Sequence, residues 1–431
     1  MTRVYEFLIS LLIVLALFVV IALFLPDRRV IEHSVETNRS MTTVNDLLTG
    51  FTRFNDWNML TRFDPKVRID VSGEEHGVGA RLEYASDVRV VGNGSWELVE
   101  FEPGERIVYQ IENDARGSKK SMSFRFERTG QFNRNVKITQ RYSVDYGWDL
   151  IGRYAGLYVN RNVGDGMKKG LERLSNLLTT IPRFDYGRHP NPFEFVDLPP
   201  VHALVASAAA RRANDDIALA MTNQRKWIDQ VIEKNDLEAA GPMRIVTNEF
   251  TGEAYAFDVV VPVRKKGEGG AEETVEADAG EATGETTAEA ATEPVSMEAL
   301  EPLEVKIEGE NNPVRYELLP AMRAATTTYV GPSPGLPRVR DLVRAWAMVR
   351  GADLSDRPYE DYKVSIPDML NEDAEFRVYW PLKDPAAEAA KAAALEAAAA
   401  AEQSAKEQDG DAAAEPAAEA AEAAPAEAPA Q

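Results

Sequence analysis

The 431-residue chain has no cysteine and only four histidines, His33, His76, His189 and His202. The first absence excludes disulfides, thiolate metal sites and cysteine nucleophiles. The second leaves no pair at a metal-ligating spacing such as H-x3-H, so no metal site is expected. Clustered lysine and arginine are lacking too. A formal charge of -22 with no basic patch argues against a nucleic-acid partner, because phosphate neutralisation needs grouped cations. Neither a Walker loop nor a G-x-G-x-x-G turn is present, and no cofactor is expected.

The negative charge is local. Residues 267–295 hold nine Asp/Glu and no Lys or Arg, and residues 384–431 hold eleven against two lysines. These two stretches carry 18 of the 22 net negative charges, so the rest of the chain is close to balanced. Both are rich in Ala, Glu, Gly, Thr or Pro, which cannot bury enough apolar surface to offset chain entropy. Disorder is expected in an acidic insert at 265–301 and in a tail at 383–431. The acidic tail offers a surface to a protein partner.

The chain has one long apolar run. Phe7 to Leu25 is nineteen residues without a charge, roughly 28 Å as a helix and close to the bilayer core. Pro26, Asp27, Arg28 and Arg29 follow instead of an A-x-A-like cleavage site. Residues 1–28 therefore read as an uncleaved single-pass anchor in a lipid bilayer. Arg3 before the run and Arg28 and Arg29 after it leave the positive-inside rule undecided. The short basic lead resembles a signal-anchor. It leans the reading toward soluble parts outside the cytoplasm, in the periplasm of a bacterial inner-membrane protein.

Residues 29–182 combine strand alternation with a helical ending. Val30 to Asn38 alternates as a strand should, and Ser40 opens a helical stretch with Val44, Leu47, Leu48 and Phe51 on one face. Further strands are expected at 67–72, 80–84, 88–91, 95–101, 106–111, 119–127 and 135–144, separated by Gly, Asn and Pro turn signals. Leu171, Leu174, Leu177 and Leu178 form the apolar stripe of a long closing helix. An antiparallel sheet curled round one helix encloses an apolar interior.

The order and spacing of several pieces carry a resemblance: VETNRSMTTVNDLLTGFTRFNDWNMLTRFDP (35–65), Gly77 to Ala80, Gly94-Ser-Trp-Glu97, Glu102-Pro-Gly-Glu-Arg106 and the end at 151–174. Together these resemble the START-like polyketide cyclase (SRPBCC) family. The resemblance implies a helix-grip fold with a deep hydrophobic cavity for a lipid-like ligand. It does not imply catalysis, since one fold hosts many functions. Candidate lining residues are Trp57, Tyr84, Trp96, Tyr109, Phe124 and Phe126, with Tyr158 from the closing helix. Alternate strand positions face opposite ways, so about half of such a set belongs elsewhere.

A connector at 183–194 leads to a pair of matched segments, 198–263 and 318–382. Each reads strand, helix, strand, strand, and each ends on an apolar strand with proline, VVVP at 259–262 and VYWP at 378–381. The pattern is an internal βαββ repeat. Residues 195–382 thereby resemble the gyrase-inhibitor-like effector-binding domain, whose members bind small amphipathic or cationic molecules in a central cleft. Asp258 stands four residues before Pro262 and fits that family's acidic position. Arg377 stands four residues before Pro381 and departs from it. Glu375 shares its parity, and Tyr359 is a further candidate. An Asp258–Arg377 pairing across the pseudo-axis would neutralise the cleft. No helix-turn-helix precedes this region.

Gly331-Pro-Ser-Pro-Gly335 matches G-x-S-x-G in letters only. No histidine follows His202, and prolines on both sides hold φ near roughly -65°. The expected fold class is α+β: an N-terminal apolar helix, a helix-grip sheet, then a duplicated βαββ unit. The expected function is a membrane-anchored binder of hydrophobic or small amphipathic ligands without an evident catalytic site. Two alternatives stay open, a cyclase- or esterase-like enzyme and a structural protein whose pockets are filled by side chains.

Overall fold

The structure is a computed structural model that describes residues 2–250, 252–267, 300–309, 312–355 and 357–383. Apart from its margins, the acidic insert lies outside the described residues, as does the tail beyond Lys383. Residues Met1–Leu382 form one compact unit.

Helix α1 (Thr2–Phe24) is apolar on all sides. Its segment Arg3–Phe24 contains an 18-residue window of mean hydropathy 3.3 and is long enough to cross a membrane. Strand β1 (Arg28–Thr37) follows almost directly, and α2 (Met41–Thr49) is capped by Ser40, whose hydroxyl accepts from the Thr43 amide at 3.1 Å. Two single-turn helices, α3 (Phe54–Trp57) and α4 (Leu60–Phe63), lead into the sheet.

The first sheet contains β1, β2 (Arg68–Ser72), β3 (Arg81–Ala85), β4 (Asn93–Glu102), β5 (Arg106–Asn113), β6 (Ser118–Thr129) and β7 (Asn135–Asp145). Its order is β1-β7-β6-β5-β4-β3-β2, and every pair is antiparallel. The alternation sets its inner face: Ile107, Tyr109 and Ile111 on β5, and Met122, Phe124 and Phe126 on β6, are all buried. The expected strand at 88–91 is absent. Those residues make the loop of the β3–β4 hairpin, closed by the Val91 amide on the Val88 carbonyl at 2.9 Å. β3 ends at Ala85, which pairs with Asn93 at the start of β4, so residues 86–92 only connect the two strands.

The closing helix comes in pieces. Helix α5 (Leu150–Ala155), a 3-10 turn at Gly156–Tyr158 and a π-helical turn at Asn160–Gly164 precede α6 (Asp165–Thr180). Met167, Leu171, Leu174 and Leu178 bury the stripe of α6 in the curl of the sheet.

The expected connector is ordered. Tyr186 is buried and its hydroxyl donates to Asp46 Oδ2 at 2.8 Å, while Asn191 donates to the Thr328 carbonyl at 2.9 Å. The second sheet is built from β8 (Phe193–Leu198), β9 (Val201–Arg211), β10 (Leu237–Ala239), β11 (Met243–Phe250), β12 (Ala254–Lys265), β13 (Val314–Leu319), β14 (Met322–Val330), β15 (Tyr359–Tyr362) and β16 (Glu375–Pro381). Helices α7 (Asn214–Lys234) and α8 (Leu336–Val349) cover one face. The order β13-β9-β12-β11-β15-β16-β14-β8 reads the same from either edge, with the β11–β15 pairing at its centre. The leading strands are exchanged: β8 pairs with β14 and β13 with β9. The short β10 on β12 is matched by the Leu354–Leu382 bridge. The helices packed on the two sheets meet where Arg350 lies 3.7 Å from Asp46 and where Arg53 donates to the Met348 carbonyl.

Candidate functional site

A cavity of about 180 Å³ lies between the first sheet and α6. Trp57 from α3, Tyr84 from β3 and Trp96 from β4 wall it, together with Met122, Gln140 and Met167. Its size is close to that of an apolar cavity known to admit one aromatic ring. Close approach of backbone makes room for the rings. A Cβ on Gly94 would fall 2.6 Å from the Tyr84 hydroxyl, so only glycine lets Tyr84 lie across β4.

Two polar atoms in this wall are buried without a hydrogen-bond partner, Trp57 Nε1 and Gln140 Oε1. Gln140 is satisfied on one side only, by its Nε2 on Met122 Sδ at 3.3 Å. Buried polar groups are normally paired, and these two are the exceptions among the wall residues. The sole ionisable group in the lining is Tyr84. Burial pushes its hydroxyl up, against a hydrogen bond with Asn113, and it stays a neutral donor at ordinary pH. The lining holds no carboxylate, lysine or histidine.

The other expected lining residues lie elsewhere. Tyr109 and Phe124 stand behind the wall, with Tyr109 5.6 Å from the Trp96 ring and Phe124 5.8 Å from Trp57. Tyr109 is held there by its hydroxyl on the Leu48 carbonyl, and both serve as core. Phe126 is buried outside the lining as well. Tyr158 is 56 % exposed. Stepping back along the α6 stripe from Met167 reaches Gly164, Asn160 and Gly156, of which Gly156 and Gly164 are buried. Tyr158 falls off that stripe, which corrects its expected place in the cavity. A wider and more open groove of about 600 Å³ runs along β2 to β5, and its Arg81 is already paired with Glu83 and Glu97.

On the second sheet, Asp258 is buried and accepts from Ser207 Oγ at 2.7 Å, Arg315 at 3.1 Å and Arg357 at 2.7 Å. Burial pushes its carboxyl up, but Ser207, Asn248 and the two guanidiniums outweigh that and hold it below the ordinary range. Arg377 donates to Glu194 at 2.7 Å, and Glu375 pairs with Lys363. The expected Asp258–Arg377 pair does not form: β11 and β15 lie between their strands, and Arg315 and Arg357 hold Asp258 while Glu194 holds Arg377. Tyr359 is buried and stacked on Tyr379 at 4.8 Å. Beside it Asp361 lies 3.0 Å from Arg244 Nε, without a well-directed hydrogen bond. Burial pushes the Asp361 carboxyl up to about 6, against the charge of Arg244.

One pair was not foreseen. Under α8, Arg340 donates to Glu360 Oε2 at 2.8 Å, and Glu360 has no exposed surface. A cavity of about 160 Å³ opens next to them, walled by Tyr255, Arg340, Tyr362 and Met369. The signal was in the helix spacing: Leu336, Val339, Val343 and Ala347 form the stripe of α8, and Arg340 lies within it. Within the Gly331–Gly335 segment, Ser333–Gly335 form a 3-10 turn leading into α8. Among the described residues no group of three His, Asp or Glu is placed to hold a metal ion.

With this geometry in place, sequence comparison finds a similarity over the first sheet. Residues 28–179 match the family described as polyketide cyclase/dehydrase and lipid transport. The match spans β1 to the end of α6, the part of the chain that encloses the 180 Å³ cavity. No curated protein matches the chain. Among solved structures, norcoclaurine synthase of Thalictrum flavum is 15 % identical, covering 34 % of this chain and 86 % of its own, with a TM-score of 0.26. Protein Ms6760 of Mycobacterium smegmatis is 13 % identical over 36 % of this chain and 98 % of its own, with a TM-score of 0.26. The EcmrR C-terminal domain is 13 % identical over 45 % of this chain and 99 % of its own, with a TM-score of 0.30. Scores this low bear on no functional question.

Proposed function

We propose that the protein is a membrane-anchored binding protein whose first sheet holds a small, largely apolar, ring-bearing ligand. The observation that carries this reading is the 180 Å³ cavity walled by Trp57, Tyr84 and Trp96 with an unpaired indole N–H and an unpaired amide oxygen. Apolar burial supplies the affinity, about 25 cal/mol per Å². Trp57 Nε1 and Gln140 Oε1 select a ligand with a group, such as a hydroxyl, that both accepts and donates. The match to a cyclase and lipid-transport family supports a hydrophobic ligand. A lining without carboxylate or histidine favours binding over chemistry.

In this reading α1 is the anchor in a bacterial inner membrane, with both sheets on the periplasmic side. Residues 29–182 are the ligand-holding domain. Residues 195–382 are a duplicated, gyrase-inhibitor-like effector-binding domain, a reading supported by a strand order symmetric about β11 and β15. Its pocket beside Arg340 and Glu360 takes a small effector.

Native mass spectrometry of the full chain, released from nanodiscs and followed by solvent extraction, tests the proposal. A co-purifying apolar molecule at one per chain supports it. An empty protein that also takes up no lipophilic fluorescent probe contradicts it.

A further inference from the structure

Helix α5 packs alongside the end of α1. Tyr154 stacks on Phe18 with ring centroids 4.4 Å apart, and its hydroxyl donates to the Phe18 carbonyl at 2.9 Å. Arg153 donates to the carbonyls of Ala22 at 3.3 Å, Leu23 at 3.3 Å and Leu25 at 3.2 Å, and to Gly147 at 2.7 Å. A cation thus satisfies the orphan carbonyls at the helix C-terminus. Phe18 lies six residues before Phe24, roughly 9 Å along the axis.

Those contacts fix a depth. If α1 crosses a bilayer, whose hydrocarbon core is about 30 Å thick, its last two turns end at the polar boundary. Whatever packs beside Phe18 and Ala22 then cannot lie in bulk water. The outward side chains of this segment suit that place. Trp148 is 83 % exposed, Ile151 54 %, Leu157 50 % and Tyr158 56 %, within eleven residues of a soluble-looking sheet. Aromatic and apolar residues of this kind concentrate at bilayer boundaries.

We infer that residues 148–158 lie in the headgroup layer of the lipid bilayer as a second membrane contact beside α1. The inference rests on the anchor reading of α1 and deepens it. The occupant is lipid because the patch is continuous with the apolar helix it grips. The register adds a consequence: Arg28 pairs with Asp145, Ser118 with Asp145, Gly94 with Asn113 and Ala85 with Asn93, so the 86–92 loop lies at the α1 end of the sheet. Val90 and Val91 of that loop are among the residues that wall the 180 Å³ cavity. The ligand site therefore faces the membrane.

The absence of cysteine makes the test clean. Ile151→Cys, Leu157→Cys and Phe132→Cys are each labelled with the environment-sensitive fluorophore NBD in the full chain, reconstituted into phosphatidylcholine vesicles. Phe132 is 77 % exposed at the opposite end of the sheet, beside the β1 end that pairs with Val136. The expected result is blue-shifted emission at 151 and 157, quenched by shallow spin-labelled lipid, and water-like emission at 132. Alkaline extraction of the same vesicles reports on the anchor. Water-like emission at 151 and 157 in protein that resists extraction overturns this inference and leaves the anchor standing. Protein that alkali extracts overturns both.

Discussion

Asp258 on β12 and Arg377 on β16 occupy equivalent places in the second sheet and carry opposite charge. Each stands four residues before a proline, Pro262 or Pro381. Arg315 on β13 binds Asp258, and Glu194 on β8 binds Arg377. The register makes these the same pair with the charges exchanged: Arg315 lies opposite Val205 on β9, and Glu194 opposite Thr326 on β14. The two halves thus carry opposite charges at this position, each held by a partner of the other sign.

Asp258 is the structurally committed member. Asp258→Asn leaves Arg315 and Arg357 without their shared carboxylate and is expected to cost about 1.5–3 kcal/mol at pH 7. The folded carboxyl is held below its ordinary range. Its contribution is therefore present above the unfolded pKa, about 4, and fades as the pH falls through the folded value. Urea denaturation of wild type and variant at pH 7 and at acid pH checks this; equal gaps at both would contradict it.

Asp361 has the opposite sign. Burial sets its folded carboxyl at about 6, above the unfolded value. The folded state binds that proton more tightly, so stability from this group is greatest below about pH 4 and declines as the pH rises toward 6. Asp361→Asn removes this decline. The check is the slope of unfolding free energy between pH 4 and 6 for both proteins, with carboxyl NMR titration as a direct reading.

The Arg340–Glu360 pair is buried, so losing one partner is worse than losing both. Arg340→Met leaves Glu360 uncompensated and is expected to cost about 3–5 kcal/mol, while adding Glu360→Leu recovers most of that. Chemical denaturation of the two single variants and the double variant reads the coupling. Additive losses would show that the pair is not interdependent.

Gln140→Leu separates ligand recognition from fold stability. It removes an unpaired buried amide oxygen, so the empty protein should gain about 1 kcal/mol. Binding of a hydroxylated ring should weaken relative to its deoxy analogue. Thermal unfolding and a titration with the two ligands give both readings; an equal effect on both ligands would remove Gln140 from recognition.

Much of the first sheet was legible because strand parity is a local signal. Ile107, Tyr109 and Ile111 alternate inward without help from the rest of the chain. Parity could not separate cavity wall from core. Trp96 and Tyr109 both point inward, and which of them meets empty space depends on where α6 lies, a long-range matter. Tyr158 was misplaced although the helix period, counted back from Met167, passes it by. Ordering of residues 183–194 was hidden because it comes from Asp46 and Thr328, far away in the sequence. Arg340 was readable from its place in the α8 stripe, whereas its partner Glu360 sits in the uniformly polar-aromatic run Tyr359–Tyr362, where parity alone gives no preferred face.

The most direct test of the account fills the cavity and leaves the fold alone. Leu60 is a partly exposed wall residue, and Leu60→Trp adds volume where the 180 Å³ space lies. Fluorescence titration of the full chain in nanodiscs with a naphthol probe should show saturable one-to-one binding in wild type. In the filled variant, with circular dichroism and melting unchanged, that binding should be lost. No saturable binding in wild type, or the same binding in both proteins, would contradict a ligand site between the first sheet and α6.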